Sequence, residues 1–149
     1  MPDDHFRRRQ INVKRAVLSG FVAGIFIFII TGITNGAVLS AELNAWLQHM
    51  GSLVRPPPRA VAMSLWAIMC LIFGMVGVWI YAGMRPRYGA GLKPALRAGL
   101  LLWLASKLAV ALDFVALGLL PGRIIIGQLI GGLVAIMIAT VVGARLYKE

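Results

Sequence analysis

Residues 95–119 read ALRAGLLLWLASKLAVALDFVALGL. Charge enters this stretch at Arg97 near its start, at Lys107 in its middle and at Asp113 toward its end. Crossing the oily layer of a bilayer takes about 20 apolar residues in a helix, and this run is long enough. Backbone N–H and C=O groups find no water there, so the run pairs them internally as an α-helix. The alternation of a barrel strand is absent.

Three more runs of the same kind surround it, giving spans at about 16–39, 60–84, 95–119 and 124–144. The breaks carry their own chemistry. Pro56-Pro57-Pro58 precedes the second span, and a residue before proline avoids the helical region. Arg85-Pro86-Arg87-Tyr88-Gly89 is expected to end that span. Lys93-Pro94 opens the third, with proline in a first turn where its missing N–H costs little. Leu120-Pro121-Gly122 makes the tight turn into the fourth. The expected fold class is all-α: a polytopic membrane protein whose single domain, residues 1–149, is a four-transmembrane-helix bundle.

Composition agrees. The chain of 149 residues is 60% hydrophobic, against about 45–50% apolar in ordinary soluble domains. Its formal net charge is +10, which on a soluble chain points to nucleic acid. Here basic residues punctuate the spans, and no aromatic-basic surface for stacking bases is visible, so no nucleic-acid partner is expected. The first run, Ala16 to about Leu39, exceeds the roughly 7–15 residues of a signal-peptide core and reads as a retained anchor.

Counting Lys and Arg by side sets the direction. Arg7, Arg8, Arg9, Lys14, Arg15, Arg85, Arg87, Lys93, Arg97, Arg145 and Lys148 share one side; Arg55, Arg59 and Arg123 share the other. Eleven against three places the first side, with both ends of the chain, in the cytoplasm. Trp79, Tyr81 and Tyr147 then fall near the cytoplasmic ends and Trp46 and Trp66 near the outer ends, as anchors in aromatic belts. Ser40 to Met50 reads as a short interfacial helix between spans 1 and 2. Leu43, Trp46, Leu47 and Met50 share one face, with Ser40 as N-cap and Gly51 as stop.

Small residues mark close packing, because lipid gives helices no hydrophobic reason to associate. Gly127, Gly131, Ala135, Ala139 and Gly143 form a row in the fourth span; Gly20, Gly24, Gly32 and Gly36 form one in the first. The rows fit contacts within one chain or between copies.

Lys107 is the most unusual residue. A charged lysine at mid-bilayer costs about 2.5–3.5 kcal/mol on insertion scales. Asp113 lies six residues on, about 9 Å further and about 240° around an ideal helix, so the two do not pair along one face. By depth, Asp113 falls level with Asn35, Ser64 and Gln128 from the other spans, and Thr31 and Cys70 with Lys107. A polar layer in the outer half of the bundle is expected, with Lys107 beneath it. The loop bearing Arg85, Arg87 and Lys93, with Arg97, is a candidate for anionic lipid headgroups.

Enzyme motifs are missing: no paired carboxylates, no nucleophile with its base, no phosphate-cradling glycine loop. His5 and His49 fall on opposite sides of the membrane, so no metal site and no cofactor are expected. The expected role is a non-enzymatic accessory or assembly subunit of a homo-oligomer or larger membrane complex. The alternative is a small proton-linked transporter or channel using Lys107 and Asp113.

Trp79-Ile-Tyr81-Ala-Gly-Met-Arg85-Pro-Arg-Tyr-Gly89, the basic start of the third span, the ending Gly143-Ala-Arg-Leu-Tyr147-Lys-Glu, and Asn35-Gly36 ahead of Trp46 resemble a group of small bacterial four-helix membrane proteins with no assigned activity. The likeness runs over most of the chain from Lys14. It implies a bacterial inner-membrane protein and carries over no site residue. Where that group leads one to expect a carboxylate in the first span, this chain has Thr31.

Overall fold

In a computed structural model, the structure describes residues 12–53 and 55–147. Arg7, Arg8, Arg9, His5 and Lys148, which entered the sequence reading, lie outside the described residues. Among the described residues there are five helices and no strand. They are α1 Val13–Val38, α2 Ser40–Met50, α3 Arg59–Tyr88, α4 Leu92–Leu117 and α5 Gly122–Leu146. All except α2 are long and apolar enough to cross a membrane. The protein is an all-α four-helix bundle.

The outer surface of the bundle is oily. Leu18, Ile33, Leu65, Leu112, Val115, Leu117, Ile126 and Ile130 are all exposed. On a soluble protein such a belt would drive association; against lipid tails it matches its surroundings. The interior is lined by small side chains, among them Ala16, Ala23, Ala82, Ala95, Ala98, Ala135 and Ala139.

The packing order is cyclic. α1 packs against α3 and α5, and α4 packs against the same two helices; α3 and α5 also touch, whereas α1 and α4 lie diagonally opposite without packing on each other. The backbone N–H of Asn12 donates to the Tyr147 hydroxyl at 3.2 Å, so the start of α1 and the end of α5 share one end of the bundle. That is called the terminal end here; the opposite one carries α2.

Glycine does two jobs. Where α1 crosses α3 it lets backbones touch. A Cβ on Gly20 would lie 2.7 Å from the Met75 Cα, one on Gly24 2.6 Å from the Leu71 Cα, and one on Gly74 would overlap the backbone of Gly20 and Gly24. Toward α2 it makes room for side chains: Gly127 faces Leu39, Gly131 faces Thr34 and Gly132 faces the Lys107 stem. Ala135 and Ala139 are fully buried, and Gly143 sits against Val78 and Ala23. Most of the two expected small-residue rows are therefore used within one chain. Gly32 meets only Trp66, at 3.6 Å, and Gly36 has open space around it.

Several local expectations change. α3 runs through Pro86 to Tyr88, because a proline in the last turn forfeits one backbone bond and the Gly89 N–H still closes on the Arg85 carbonyl at 2.9 Å. Gly89 then leaves the helix at φ +76°, a conformation glycine adopts without strain. Ser40 is the first residue of α2 and not its cap; the cap position is Leu39, which makes no side-chain capping bond. Gly51 does end α2, at φ +48°. Tyr81 and Tyr147 are buried, packing edge to face with centroids 6.4 Å apart, so neither faces a headgroup belt. Trp46 donates from Nε1 to the Leu119 carbonyl at 3.0 Å and fixes α2 to the α4–α5 turn.

Candidate functional site

Two of the long helices contain a single wide turn. In α1 it spans Thr34–Val38, where the Leu39 N–H reaches back five residues to the Thr34 carbonyl at 2.9 Å. In α4 it spans Leu104–Leu108, with the Ala109 N–H bonded to the Leu104 carbonyl. Such π-helical turns are uncommon and concentrate at functional sites. They sit on the two diagonally opposed helices, and each carries polar side chains toward the axis of the bundle: Thr34 and Asn35 from α1, Lys107 from α4.

Between them lies a cavity of about 240 Å³. α1 contributes Thr31, Thr34 and Asn35; α4 contributes Lys107, Val110 and Phe114; α3 supplies Trp66 and Met69; α5 supplies Gln128 and Gly132. It occupies the α2 half of the bundle. Lys107 and Gln128 also line a smaller recess between α4 and α5.

The Lys107 stem lies along Gly132, where a Cβ would come 3.2 Å from its Cγ. Its Nζ sits 5.5 Å from the centroid of the Phe73 ring, a cation–π contact. Among the described residues no carboxylate pairs with this ammonium and no hydrogen bond engages it. Thr31 and Thr34 spend their hydroxyl protons on their own helix, on the Ile27 carbonyl at 2.7 Å and the Ile30 carbonyl at 3.0 Å. Toward the cavity they can therefore only accept. The Asn35 Oδ1 is buried with no hydrogen-bond partner, an exception to the rule that buried acceptors are paired. The lining thus combines one ammonium, two carboxamides and two hydroxyl acceptors with aromatic and aliphatic walls.

The structure brings Thr31, Asn35, Gln128 and Lys107 together and separates them from the other two expected members. Ser64 is exposed and bonds the Ala60 carbonyl on its own helix at 2.9 Å. Asp113 is exposed on the outside of α4, beside Leu112 and Val115. The polar layer therefore loses Ser64 and its carboxylate. Depth alone predicted that layer, and depth does not fix which way a side chain points around its helix. Thr31 does lie with Cys70, Oγ1 to Sγ 4.0 Å. Thr34, Phe73 and Gly132 were not singled out in the sequence; the i, i+3 relation of Thr31 to Thr34 was the available signal for the first.

At the terminal end the four candidate lipid-binding cations do not converge. The Arg87 and Arg97 guanidinium groups both lie on the Tyr88 ring, 5.8 and 5.1 Å from its centroid. Lys93 is exposed. Arg85 turns the other way, its Cζ 5.6 Å from the centroid of the Tyr147 ring. Among the described residues no three His, Cys, Asp or Glu side chains gather where a metal ion would bind.

No family model, no curated protein and no solved structure matches this chain. Fold and cavity therefore define it only by class: a four-helix bundle with an oily exterior and a lysine-bearing polar cavity inside.

Proposed function

We propose that this chain is a multi-pass protein of a bacterial inner membrane, with both ends cytoplasmic, that binds a small organic anion in the Lys107 cavity as a carrier or channel. The observation that carries this reading is the Lys107 ammonium beside a cavity to which, among the described residues, no carboxylate contributes. A charge held in oil costs several kcal/mol unless something compensates it, and a bound anion compensates it directly. The Asn35 Oδ1 asks in addition for a hydrogen-bond donor. A small carboxylate that also carries a hydroxyl group meets both demands, with the carboxylate on Lys107 and the hydroxyl donor on Asn35. The reading involves no covalent chemistry and no cofactor. Compared with the transporter expected from sequence, it keeps Lys107 and leaves out Asp113.

The test is uptake of lactate and of glycerate into liposomes containing the purified chain, compared with protein-free liposomes. Uptake above that background is expected for wild type and for Asp113→Asn, and none for Lys107→Met. Equal uptake by wild type and Lys107→Met of either solute, or no uptake of both by wild type, rejects the reading.

Asp113 favours a second reading, that of an accessory or assembly subunit. A carboxylate exposed within the apolar flank of α4 is costly against lipid and favourable against a basic or hydrogen-bonding group of another subunit or a second copy. Cross-linking in native membranes tests this: Asp113→Asn is expected to weaken the adduct at least severalfold. An unchanged adduct, or none in wild type, removes the second reading.

A further inference from the structure

The four-helix packing does not continue to the α2 end. As far as Trp103, α4 packs against both α3 and α5. Beyond it, through the wide turn Leu104–Leu108 and on to Leu117, the α4 backbone packs against α5 alone. Trp103 marks the change: its Nε1 donates to the Leu129 carbonyl of α5 at 3.0 Å. From there the helix keeps to α5, and side chains, such as Lys107 on Phe73, span the gap to α3. Both helices bordering the gap are bare at this end. Every α3 residue from Arg59 to Leu65 is exposed, and from Leu112 to Leu117 of α4 all but Phe114 are. Trp66 and Met69 of α3 and Val110 and Phe114 of α4 line the Lys107 cavity behind the gap. Val110 is at once exposed and part of that lining, so the cavity reaches the surface here. It has an apolar opening on its α3–α4 side.

Resting on the reading that Lys107 holds a carboxylate, we infer that the ligand of this cavity is a hydroxy fatty acid. Its carboxylate lies on Lys107, its hydroxyl donates to the Asn35 Oδ1, and its alkyl chain leaves between α3 and α4 into the lipid. Size points the same way. At about 240 Å³ the cavity falls short of the roughly 300–1,000 Å³ that encloses a drug-sized ligand. It holds a head and the first carbons, and a longer chain fits only by passing out through the opening. The side chains there are aromatic or apolar, so an alkyl chain between them stays in oily surroundings along its length. A cavity closed on that side would admit lactate and reject its longer homologues. A helix of a second copy suits the opening less well. At its inner end stand the Lys107 ammonium and the Asn35 Oδ1, neither with a hydrogen-bond partner among the described residues. A ligand head satisfies both, whereas an apolar helix face would seal them in unpaired, at a cost.

The probe is 2-hydroxydecanoate, which is lactate with a longer chain. Decanoate lacks its hydroxyl, and decane-1,2-diol lacks its carboxylate. Binding to the purified full chain in mild detergent is counted by native mass spectrometry, with far-UV circular dichroism to check that each variant is folded. Wild type is expected to hold one 2-hydroxydecanoate at least tenfold more tightly than the diol. It should hold decanoate severalfold less tightly than the hydroxy acid, for want of one hydrogen bond. Lys107→Met should bring the hydroxy acid down to the level of the diol. Asn35→Leu should remove the preference over decanoate and keep the preference over the diol. An analogue with a photoreactive diazirine at its chain end should label α3 between residues 62 and 69 and α4 between residues 110 and 117. Lactate uptake into liposomes is measured alongside. Lys107-dependent lactate uptake without binding of 2-hydroxydecanoate overturns this inference and leaves the small-anion reading standing; absence of both rejects the two together. Binding of the long acid without lactate uptake keeps the site and rejects the carrier. The inference is also overturned if the diol binds as tightly as the hydroxy acid, or if the label falls on α1 and α5 or spreads evenly over the four long helices. A stable dimer that binds no acid overturns it too, and gives the opening to a second copy.

Discussion

Glycine to alanine at two positions of α3 should move stability in opposite directions. At Gly74 the added methyl meets backbone that cannot swing aside: it would overlap the Gly24 N and Gly20 carbonyl oxygen and lie 2.5 Å from the Gly24 Cα. Ordinary contact begins near 3.4 Å, so α1 and α3 must part by about 1 Å along their tightest crossing. Overpacking of this kind costs about 1–3 kcal/mol. The better helix propensity of alanine returns about 0.5–1 kcal/mol of that, leaving a net loss of about 0.5–2 kcal/mol. At Gly83, nine residues on in the same helix, nothing lies within 4 Å of the new methyl and the residue is exposed. There only the propensity term acts, and the variant should gain about 0.5–1 kcal/mol. Reversible unfolding in mixed micelles, followed by far-UV circular dichroism, measures both against wild type. A Gly74→Ala protein as stable as wild type would falsify the claim that α1 and α3 touch through glycine backbone.

Lys107→Met removes a charge from the interior while keeping the length of the stem, so it should stabilise the bundle by about 1–2 kcal/mol in the same assay, even as it abolishes solute uptake. A lysine that serves only as a structural tie would give the opposite sign. Gly132→Val places methyls on the path of the Lys107 stem, 3.2 Å from its Cγ at the Cβ alone; solute affinity should fall at least tenfold while far-UV circular dichroism stays near wild type, and unchanged affinity contradicts the described seat of the stem. Trp46→Phe deletes the bond to the Leu119 carbonyl, worth about 0.5–1.5 kcal/mol. Limited proteolysis should then cut around α2 several times faster, and an unchanged cleavage rate would mean that this bond does not hold the helix down.

Hydropathy and turn chemistry decided the class of this protein, because both are local. Each span is long enough to satisfy its own backbone in oil, whatever its neighbours do, and prolines and glycines mark the breaks within a few residues. The special character of Lys107 was equally legible, since a cation in the middle of a 25-residue, largely apolar run needs no structure to stand out. Which polar groups share a cavity was not legible. Depth along a helix follows from counting residues, but direction around it depends on how each helix rolls against its partners. Asp113 and Ser64 therefore share a depth with Asn35 and Gln128 and still point away. The wide turns at Thr34–Val38 and Leu104–Leu108 add to this, because each inserts an offset into a count that assumes 3.6 residues per turn. Arg145 and Arg85, 60 positions apart, border one cavity because α4 carries the chain back, so that α3 and α5 run parallel and finish at the same end. Sequence alone thus fixed what each helix is and where it stops. The tertiary structure decided which faces meet, because that depends on close contacts between residues far apart in the chain.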